Sequence, residues 1–374
     1  MSAADASRYL IETAGHRTGD EGFLRRWRAL LDASDSPERI FQSPEFFEHM
    51  MATGDDGAEL ITVTDRAGGA IVGIVPVRLR CHSLDFTAGR RHLASLPVPS
   101  VVLLGSVPLL PADPALLDQL FQFLLARHPR CQAISLTAMP ADSRLWRRIG
   151  GSALLARRYL WHLPHDWCDC HRIPLPADFA AYLAQFSAKR RYNLARQQRL
   201  LREHGQGHLE LRCIEHPAQV GRLTAALAAL TRPKRRGQLL SDATLHAFAH
   251  RGLLLCYVME CAGQPCALML GLRYGDTLYV HNLFHDSALD HLSAGTVLLH
   301  LAIEQLCGRR CRSIEFGYGA PAHSHPSSNV TALRAHLLVL RPSLGNRLMC
   351  RLHRGFGAVV AWARRRASGD AQAG

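Results

Sequence analysis

The pattern of hydrophobic and polar positions predicts strands and helices that alternate along two successive halves of the chain. In the second half, apolar runs separated by glycine turns predict a three-strand meander at 253–261, 264–274 and 277–284. Apolar residues then recur at helical spacing over 294–307, and a short apolar strand follows at 312–316. A small-residue turn therefore joins a strand to a helix in the middle of this stretch.

The first half shows a similar order of predicted elements. A Ser-Pro helix start precedes a hairpin, and a buried strand, a helix and another strand follow at 101–104, 113–128 and 132–137. This shared order indicates an internally duplicated fold, although the two sequences are not visibly repeated. A connector rich in proline, histidine and cysteine marks the boundary at 164–176.

These features predict four segments. Residues 1–20 are polar, and we expect them to be disordered. One domain is predicted over 21–165 and a second over 166–342. A basic amphipathic helix is predicted over 343–366, which either lies on an anionic membrane or docks against the body of the protein.

The chain is basic, with 44 Lys and Arg residues against 31 Asp and Glu residues and a net charge of +13. Such an excess favours anionic partners. Eleven cysteines occur without the paired spacing of a zinc site, and the sequence has no signal core or membrane-spanning run. We therefore expect a cytoplasmic protein with reduced cysteines and no metal. A nucleic-acid partner is not expected, because the basic segments match no nucleic-acid-binding module.

The turn at 292–296 has the composition of a phosphate-binding helix start. Its residues are Leu292, Ser293, Ala294, Gly295 and Thr296. Free amides at the start of a helix bind phosphate groups, and the helix dipole adds to the attraction. An ordinary serine-capped helix would have the same sequence, so both interpretations stay open.

The order of the predicted strands and helices, together with several short sequence motifs, resembles the GNAT superfamily of acyl-CoA-dependent acyltransferases. Within it, the chain is similar to the double-domain branch that includes FemAB-like enzymes and CelD-type acetyltransferases of polysaccharide biosynthesis. The segments that match are 41–47 (FQSPEFF), 72–77 (VGIVPV), 186–194 (FSAKRRYNL), 293–299 (SAGTVLL) and 314–319 (IEFGYG). The usual Arg/Gln-x-x-Gly-x-Gly pattern is missing from this chain.

The resemblance implies an α/β fold of tandem GNAT-like domains, each a mixed, mostly antiparallel sheet flanked by helices. It implies that the N-terminal domain binds no cofactor and that the C-terminal domain binds an acyl-CoA, with acetyl-CoA as the first expectation. The pantetheine arm would lie along the strand at 278–284, including Leu283 and Phe284. The pyrophosphate would lie on the amides of 292–296.

Transfer of an acyl group to an amine needs a base for the acceptor and an acid for the leaving thiolate. His281 and Glu315 are candidates for the base, because both lie on the strands that the resemblance expects to separate. Alternation along the strand predicts that His281 shares a face with Tyr279 and Leu283. Tyr318 is a candidate for the acid. Structural roles for the histidine and the tyrosine, such as packing at the turn, remain alternatives.

Two segments are candidates for binding the acceptor. Arg190, Arg191 and Tyr192 begin the basic helix at 188–203, where arginine side chains could clamp a phosphate or carboxylate; a solvated helix face is the alternative. His323 and His325 lie in a His-rich segment after Gly319, in place of the tyrosine-lysine pair that the branch usually has. They could line an acceptor pocket, and without a third ligand they predict no metal site.

The leading hypothesis is an acyl-CoA-dependent N- or O-acyltransferase that acts on a small or saccharide-linked acceptor, in polysaccharide or cell-envelope biosynthesis. One alternative keeps the fold and changes the donor to aminoacyl-tRNA, as in FemAB-like enzymes. Another alternative is a non-catalytic module that binds an acidic polymer or a membrane surface through its arginine-rich helices.

Overall fold

The computed structural model describes residues 8–15, 19–54, 57–89, 91–231, 240–309, 311–318 and 330–370. The chain divides into two compact units. Unit 1 comprises Met1–Cys168 and Leu333–Gly374, and unit 2 comprises Asp169–Ala332. Each unit contains a mixed, mostly antiparallel sheet with flanking helices, which confirms the predicted fold class.

The elements follow one another in three groups. The first group is β1 (Tyr9–Thr13), α1 (Glu21–Asp32), α2 (Pro44–Ala52), β2 (Ala58–Asp65), β3 (Ile71–Ala88), β4 (Arg91–Leu103), α3 (Pro114–Arg127), β5 (Ala133–Pro140), α4 (Arg144–Ile149), α5 (Ala153–Arg158) and β6 (Leu160–His162). The second is β7 (Cys168–Pro174), α6 (Phe179–Ala184), α7 (Ala188–His204), β8 (Leu209–Ile214), α8 (Val220–Leu230), α9 (Asp242–His250), β9 (Cys256–Cys261), β10 (Gln264–Tyr274), β11 (Thr277–His285), α10 (Ala294–Cys307) and β12 (Ser313–Glu315). The third is β13 (Val330–Leu340) and α11 (Leu344–Asp370).

The sheet of unit 1 has the order β1-β2-β3-β4-β5-β13, and β6 also pairs with β13. Strands β4 and β5 are parallel, and α3 connects them. Apolar side chains of α3, among them Leu117 and Phe121, pack against Val101 of β4 and Ile134 of β5 in the core. Burial of this apolar surface is the main force that holds the helix on the sheet.

Two boundaries differ from the prediction. Residues 9–13, expected to be disordered, form β1 instead, because the apolar Leu10 and Ile11 allow a short strand that pairs with the edge of β2. Strand β13 pairs with β5 and β6 of unit 1, whereas the sequence placed all residues to 342 in the second domain. Pairing between strands distant in sequence leaves no local signal, so a linear pattern does not reveal it.

The sheet of unit 2 has the order β7-β12-β11-β10-β9-β8, with β11 and β12 parallel. Helix α10 connects these two parallel strands, as the meander, helix and strand pattern predicts. Its buried residues, which include Leu298, Ala302 and Leu306, join a core with Met269 of β10 and Ile314 of β12. The packed helix fixes where its N-terminal end lies relative to β11.

Helix α11 packs against unit 1 with one face. Its Cys350 joins a small core cluster with Leu84 of β3 and Leu338 of β13, and Phe86 lies 5.3 Å from the rings of both His353 and Phe356. Its apolar residues recur at four-residue spacing as Leu344, Leu348, Leu352, Phe356 and Val360. Only the last two turn inward, because that spacing drifts about 40° per step around a helix with 3.6 residues per turn. Within the described residues, every helix is too short or too polar to cross a membrane.

Candidate active site

Strands β11 and β12 are hydrogen-bonded over a short length only. Their register joins Thr277 to Ser313, Leu278 to Ile314 and Tyr279 to Glu315, and β12 ends there while β11 continues to His285. In the described part of the chain, β11 has no partner strand on that side beyond Tyr279. Such an edge offers unpaired backbone groups to an extended ligand.

A β-bulge lies in β11 at the start of this free edge. Leu270 of β10 is opposite Asn282 and Gly271 is opposite Val280, so His281 is the extra residue. A bulge bends the strand and re-aims its side chains. His281 is exposed, although partial burial of its ring lowers its pKa. The uninterrupted alternation that would place His281 on one face with Tyr279 and Leu283 is therefore absent from β11.

Helix α10 begins with free amides. Ser293 adopts a left-handed conformation, with φ 56° and ψ 43°, after the 3₁₀ helix Ser287–Leu292. The amides of Thr296 and Val297 donate to the carbonyl of Ser293, whereas those of Ala294 and Gly295 have no acceptor among the described residues. Two donors at the positive end of a helix dipole suit an anion.

The alternative of an ordinary serine cap is wrong. The Ser293 hydroxyl makes no capping bond to the helix and instead accepts a hydrogen bond from Gln197 Nε2 of α7 at 3.1 Å. This contact holds a strained residue in place, because a left-handed conformation is unfavourable for a residue with a side chain. Sequence reasoning missed Gln197, since its partner lies 96 positions away.

Close packing of α10 on β11 explains the glycine at position 295. A Cβ atom there would lie 3.0 Å from Leu283 Cδ2 and 3.4 Å from His285 Nδ1. His285 Nε2 in turn lies 2.8 Å from Asp290 Oδ1. The sequence analysis did not predict the contact between His285 and Asp290. The one local signal for it is an acidic residue five positions after a histidine at the end of a strand.

Glu315 lies at the point where β11 and β12 separate. Its side chain is 4% exposed, and Arg172 Nε of β7 lies 3.6 Å from its Oε1 atom. Arg172 was not predicted as a site residue, and antiparallel pairing of β7 with β12 places it opposite Glu315. Gly317, at φ 73°, then turns the chain, and the half-buried Tyr318 follows. Register thus brings Tyr279 and Glu315 together, with His281 two residues further along β11.

The residues predicted for acceptor binding have separate environments. Arg190 stacks on the Phe186 ring at 4.5 Å, and Arg191 Nη1 donates to the Phe186 carbonyl at 2.6 Å, so both stabilise the start of α7. Tyr192 is 65% exposed. His323 and His325 lie outside the described residues. Among the residues that the structure describes, no group of His, Cys, Asp and Glu could hold a metal ion.

A comparison with protein families gives a match in the second half of the chain. Residues 188–324 match the family model described as "Acetyltransferase (GNAT) domain". That segment includes α7, the bulged strand β11, the start of α10 and strand β12. No curated protein matches the chain.

Solved structures resemble most of the chain at low sequence identity. FemX is 11% identical, with 85% of this chain and 96% of FemX covered and a TM-score of 0.57. A tandem GNAT protein from the clavulanic acid biosynthesis pathway is 12% identical, with coverages of 90% and 99% and a TM-score of 0.50. The C-terminal domain (DUF2156) of a putative lysylphosphatidylglycerol synthetase from Agrobacterium fabrum is 10% identical, with coverages of 89% and 95% and a TM-score of 0.50.

At such identities the structures show a shared fold and no more. The family model matches residues in the second half of the chain, where the parallel strands β11 and β12 separate beside the free amides of α10. Residues 188–324 therefore form an acetyltransferase (GNAT) domain.

Proposed function

We propose that this protein is an acyl-CoA-dependent acyltransferase that uses acetyl-CoA and transfers the acyl group to an amine or hydroxyl of a small or saccharide-linked acceptor. The observation that carries this proposal is the position of the free amides of Ala294 and Gly295 next to the unpaired edge of β11. A diphosphate needs such donors, and an extended amide-containing chain needs such an edge.

The donor would lie along β11 from its far end towards the bulge. The turn of Leu292, Ser293, Ala294, Gly295 and Thr296 would hold the diphosphate. The backbone from Leu283 and Phe284 towards Val280 would bind the pantetheine amides. When bound, the thioester supplies an activated acyl group. The positive end of the α10 helix dipole would attract the two phosphates without an arginine in the turn.

Unit 1 differs at the equivalent place, which supports a single donor site in unit 2. Its parallel strands β4 and β5 are also joined by a helix, α3. However, Pro114 at the first position of α3 lacks an N–H group, and the Asp113 carboxylate accepts a hydrogen bond from Ala115. A carboxylate already occupies the place that a phosphate would take.

His281 is better suited than Glu315 to be the general base. The lowered pKa keeps the exposed imidazole neutral near pH 7, so it is ready to accept a proton. Glu315 is buried and already has a cationic neighbour in Arg172, which suits a role in positioning and charge balance. Tyr318 would donate a proton to the leaving thiolate.

The acceptor side of the proposal depends on the basic helix α7. Arg190 and Arg191 are engaged with Phe186, whereas Tyr192 projects into solvent and offers a surface for a sugar ring. These residues of α7 would contact the acceptor, and His323 and His325 stay candidates for acceptor binding from the sequence alone. A saccharide-linked acceptor would place the enzyme in polysaccharide or cell-envelope biosynthesis.

An aminoacyl-tRNA donor is the second candidate, and the basic charge of the chain favours it. FemX shares the fold over 85% of this chain, which by itself leaves the donor open. The two candidates differ in a measurable way, because only acyl-CoA transfer releases a free thiol.

Thiol release from acetyl-CoA, with and without a panel of amino-sugar acceptors, tests the proposal. We expect acceptor-dependent release and a rise in melting temperature with CoA. Transfer of a labelled amino acid from aminoacyl-tRNA, with no thiol release from acetyl-CoA, would establish the second candidate instead. Neither a CoA-dependent melting shift nor transfer from either donor would indicate the non-catalytic alternative.

A further inference from the structure

The outward side of α11 is apolar although the helix is already docked on unit 1. Its exposed apolar residues have relative exposures of 51% to 87% and form what we call the α11 outer face: Leu344, Leu348, Leu352, Val359 and Trp362. At about 100° per residue these five positions fall within a sector of about 80°. The buried Cys350 and the half-buried His353 and Val360 lie on the opposite side. The outer face is therefore continuous and is left uncovered by unit 1.

Arginines flank this face along one side. Arg347, Arg351 and Arg365 are exposed and fall in the adjacent sector of the helix. Arg366 lies over the Trp362 ring, with its Cζ atom 4.5 Å from the centroid. The sequence from Leu344 to Gly369 contains no acidic residue. The helix thus presents an apolar stripe and a row of positive charge on neighbouring sectors of its surface.

We infer that the α11 outer face binds the surface of an anionic lipid bilayer. Immersing the leucines, the valine and the tryptophan at the boundary of the acyl chains removes apolar area from water. The neighbouring arginines then reach the phosphates of anionic headgroups, each adding an attraction that salt screens. A helix of 27 residues lying flat would contact the bilayer over roughly 40 Å. This inference is independent of the acyl donor.

A second copy of the chain and a nucleic acid are the two other partners that we consider for the α11 outer face, and its chemistry argues against both. A second copy that packed its own outer face antiparallel to this one would bring equivalent arginine rows together, because a two-fold contact pairs like surfaces. A nucleic acid would satisfy the arginines but leave the apolar stripe in water. Only a lipid surface matches both the apolar and the positive part of this face.

Vesicle co-sedimentation of the full chain tests the inference. The probes are vesicles of phosphatidylcholine alone and of phosphatidylcholine with about a third phosphatidylglycerol, at ~0.15 M salt. One variant, Leu348→Ser/Leu352→Ser/Trp362→Ser, removes apolar contacts, and a second, Arg347→Gln/Arg351→Gln, removes charge. Arg25→Gln/Arg148→Gln removes the same charge from exposed positions on α1 and α4 and is the matched control.

We expect binding to the anionic vesicles that is roughly ten-fold weaker in the triple variant and several-fold weaker in the Arg347 and Arg351 variant. The control should bind like the unaltered protein, and unchanged melting temperatures should show that the variants fold. Equal vesicle binding by the unaltered protein and the triple variant would overturn the inference. Two further results would also overturn it. One is self-association of the protein, seen by light scattering and abolished in the triple variant, with no binding to vesicles. The other is binding of a nucleic-acid duplex that is weakened by the Arg347 and Arg351 variant and not by the triple variant.

Discussion

Tyr279 and Glu315 are the last residue pair that joins β11 to β12. Beyond this pair β11 continues alone, bulges at His281 and runs past the start of α10. The proposed donor site and the proposed reaction centre therefore share one strand. Changes at the helix start should alter donor binding, whereas changes at the end of β12 should alter turnover.

Gly295→Ala should weaken CoA binding by about three- to ten-fold. The new Cβ atom would lie 3.0 Å from Leu283 Cδ2, so the Leu283 side chain and the first turn of α10 must separate by a few tenths of an ångström. The free amides would then lose their position relative to the strand edge. Calorimetric titration with CoA measures the change.

Gly308→Ala is the matched control at the other end of α10. The nearest atom to a Cβ there is the Gln305 carbonyl oxygen at 3.5 Å, an ordinary contact. Its CoA affinity should equal that of the unaltered protein. If both glycine variants lose affinity equally, general loosening of the helix explains the result, and the donor site is elsewhere.

Glu315→Gln should lower kcat by one to two orders of magnitude while CoA binding is retained. The amide keeps the shape of the buried side chain but removes the negative charge next to Arg172. Steady-state thiol release and CoA titration separate the two effects. Glu304→Gln, at an exposed position of α10, loses the same charge and should leave both unchanged. Equal turnover of Glu315→Gln and the unaltered protein would remove Glu315 from the site.

Turnover should fall at acidic pH with an apparent pKa below 6.5, the ordinary value of histidine. Partial burial lowers the pKa of His281, so the neutral base persists to lower pH and is lost only as pH falls through that lowered value. His281→Gln should lower kcat and flatten this acidic limb. His291→Gln alters an exposed histidine in the preceding 3₁₀ helix and should preserve the limb. An acidic limb that persists in His281→Gln would assign the titration to another group.

The sequence predicted the fold class, the order of elements in unit 2 and the small-residue helix start, because each depends on local patterns. Aromatic and β-branched residues favour the strand β11, and the apolar spacing of α10 fixes its buried face. Contacts between distant segments were not predictable in this way. Gln197 with Ser293, Arg172 with Glu315 and β13 with β5 each depend on which strands and helices become neighbours. The bulge at His281 also escaped prediction, since nothing in the local sequence marks the extra residue.

Acid should destabilise the protein through His162, which is 1% exposed and lies with its ring centroid 5.0 Å from that of His353. Burial lowers the pKa of His162 to about 4, and electrostatic interaction with His353 and Arg354 adds to this. The unfolded chain, with a histidine pKa of about 6.5, binds the proton more readily. The contribution of neutral His162 to the free energy of unfolding is therefore fully present above about pH 6.5, and it is lost as pH falls towards 4.

Between pH 7 and pH 5 this single histidine should account for about 2 kcal/mol of the loss in unfolding free energy. His162→Phe keeps an aromatic ring against His353 and removes the titrating group, so the variant should lose less stability over that interval. Urea unfolding at the two pH values measures the difference. His246→Gln, which alters an exposed histidine on α9, should lose as much as the unaltered protein. If His162→Phe and the unaltered protein lose equal stability, His162 is not the group that senses acid, and the other buried histidines must carry the effect.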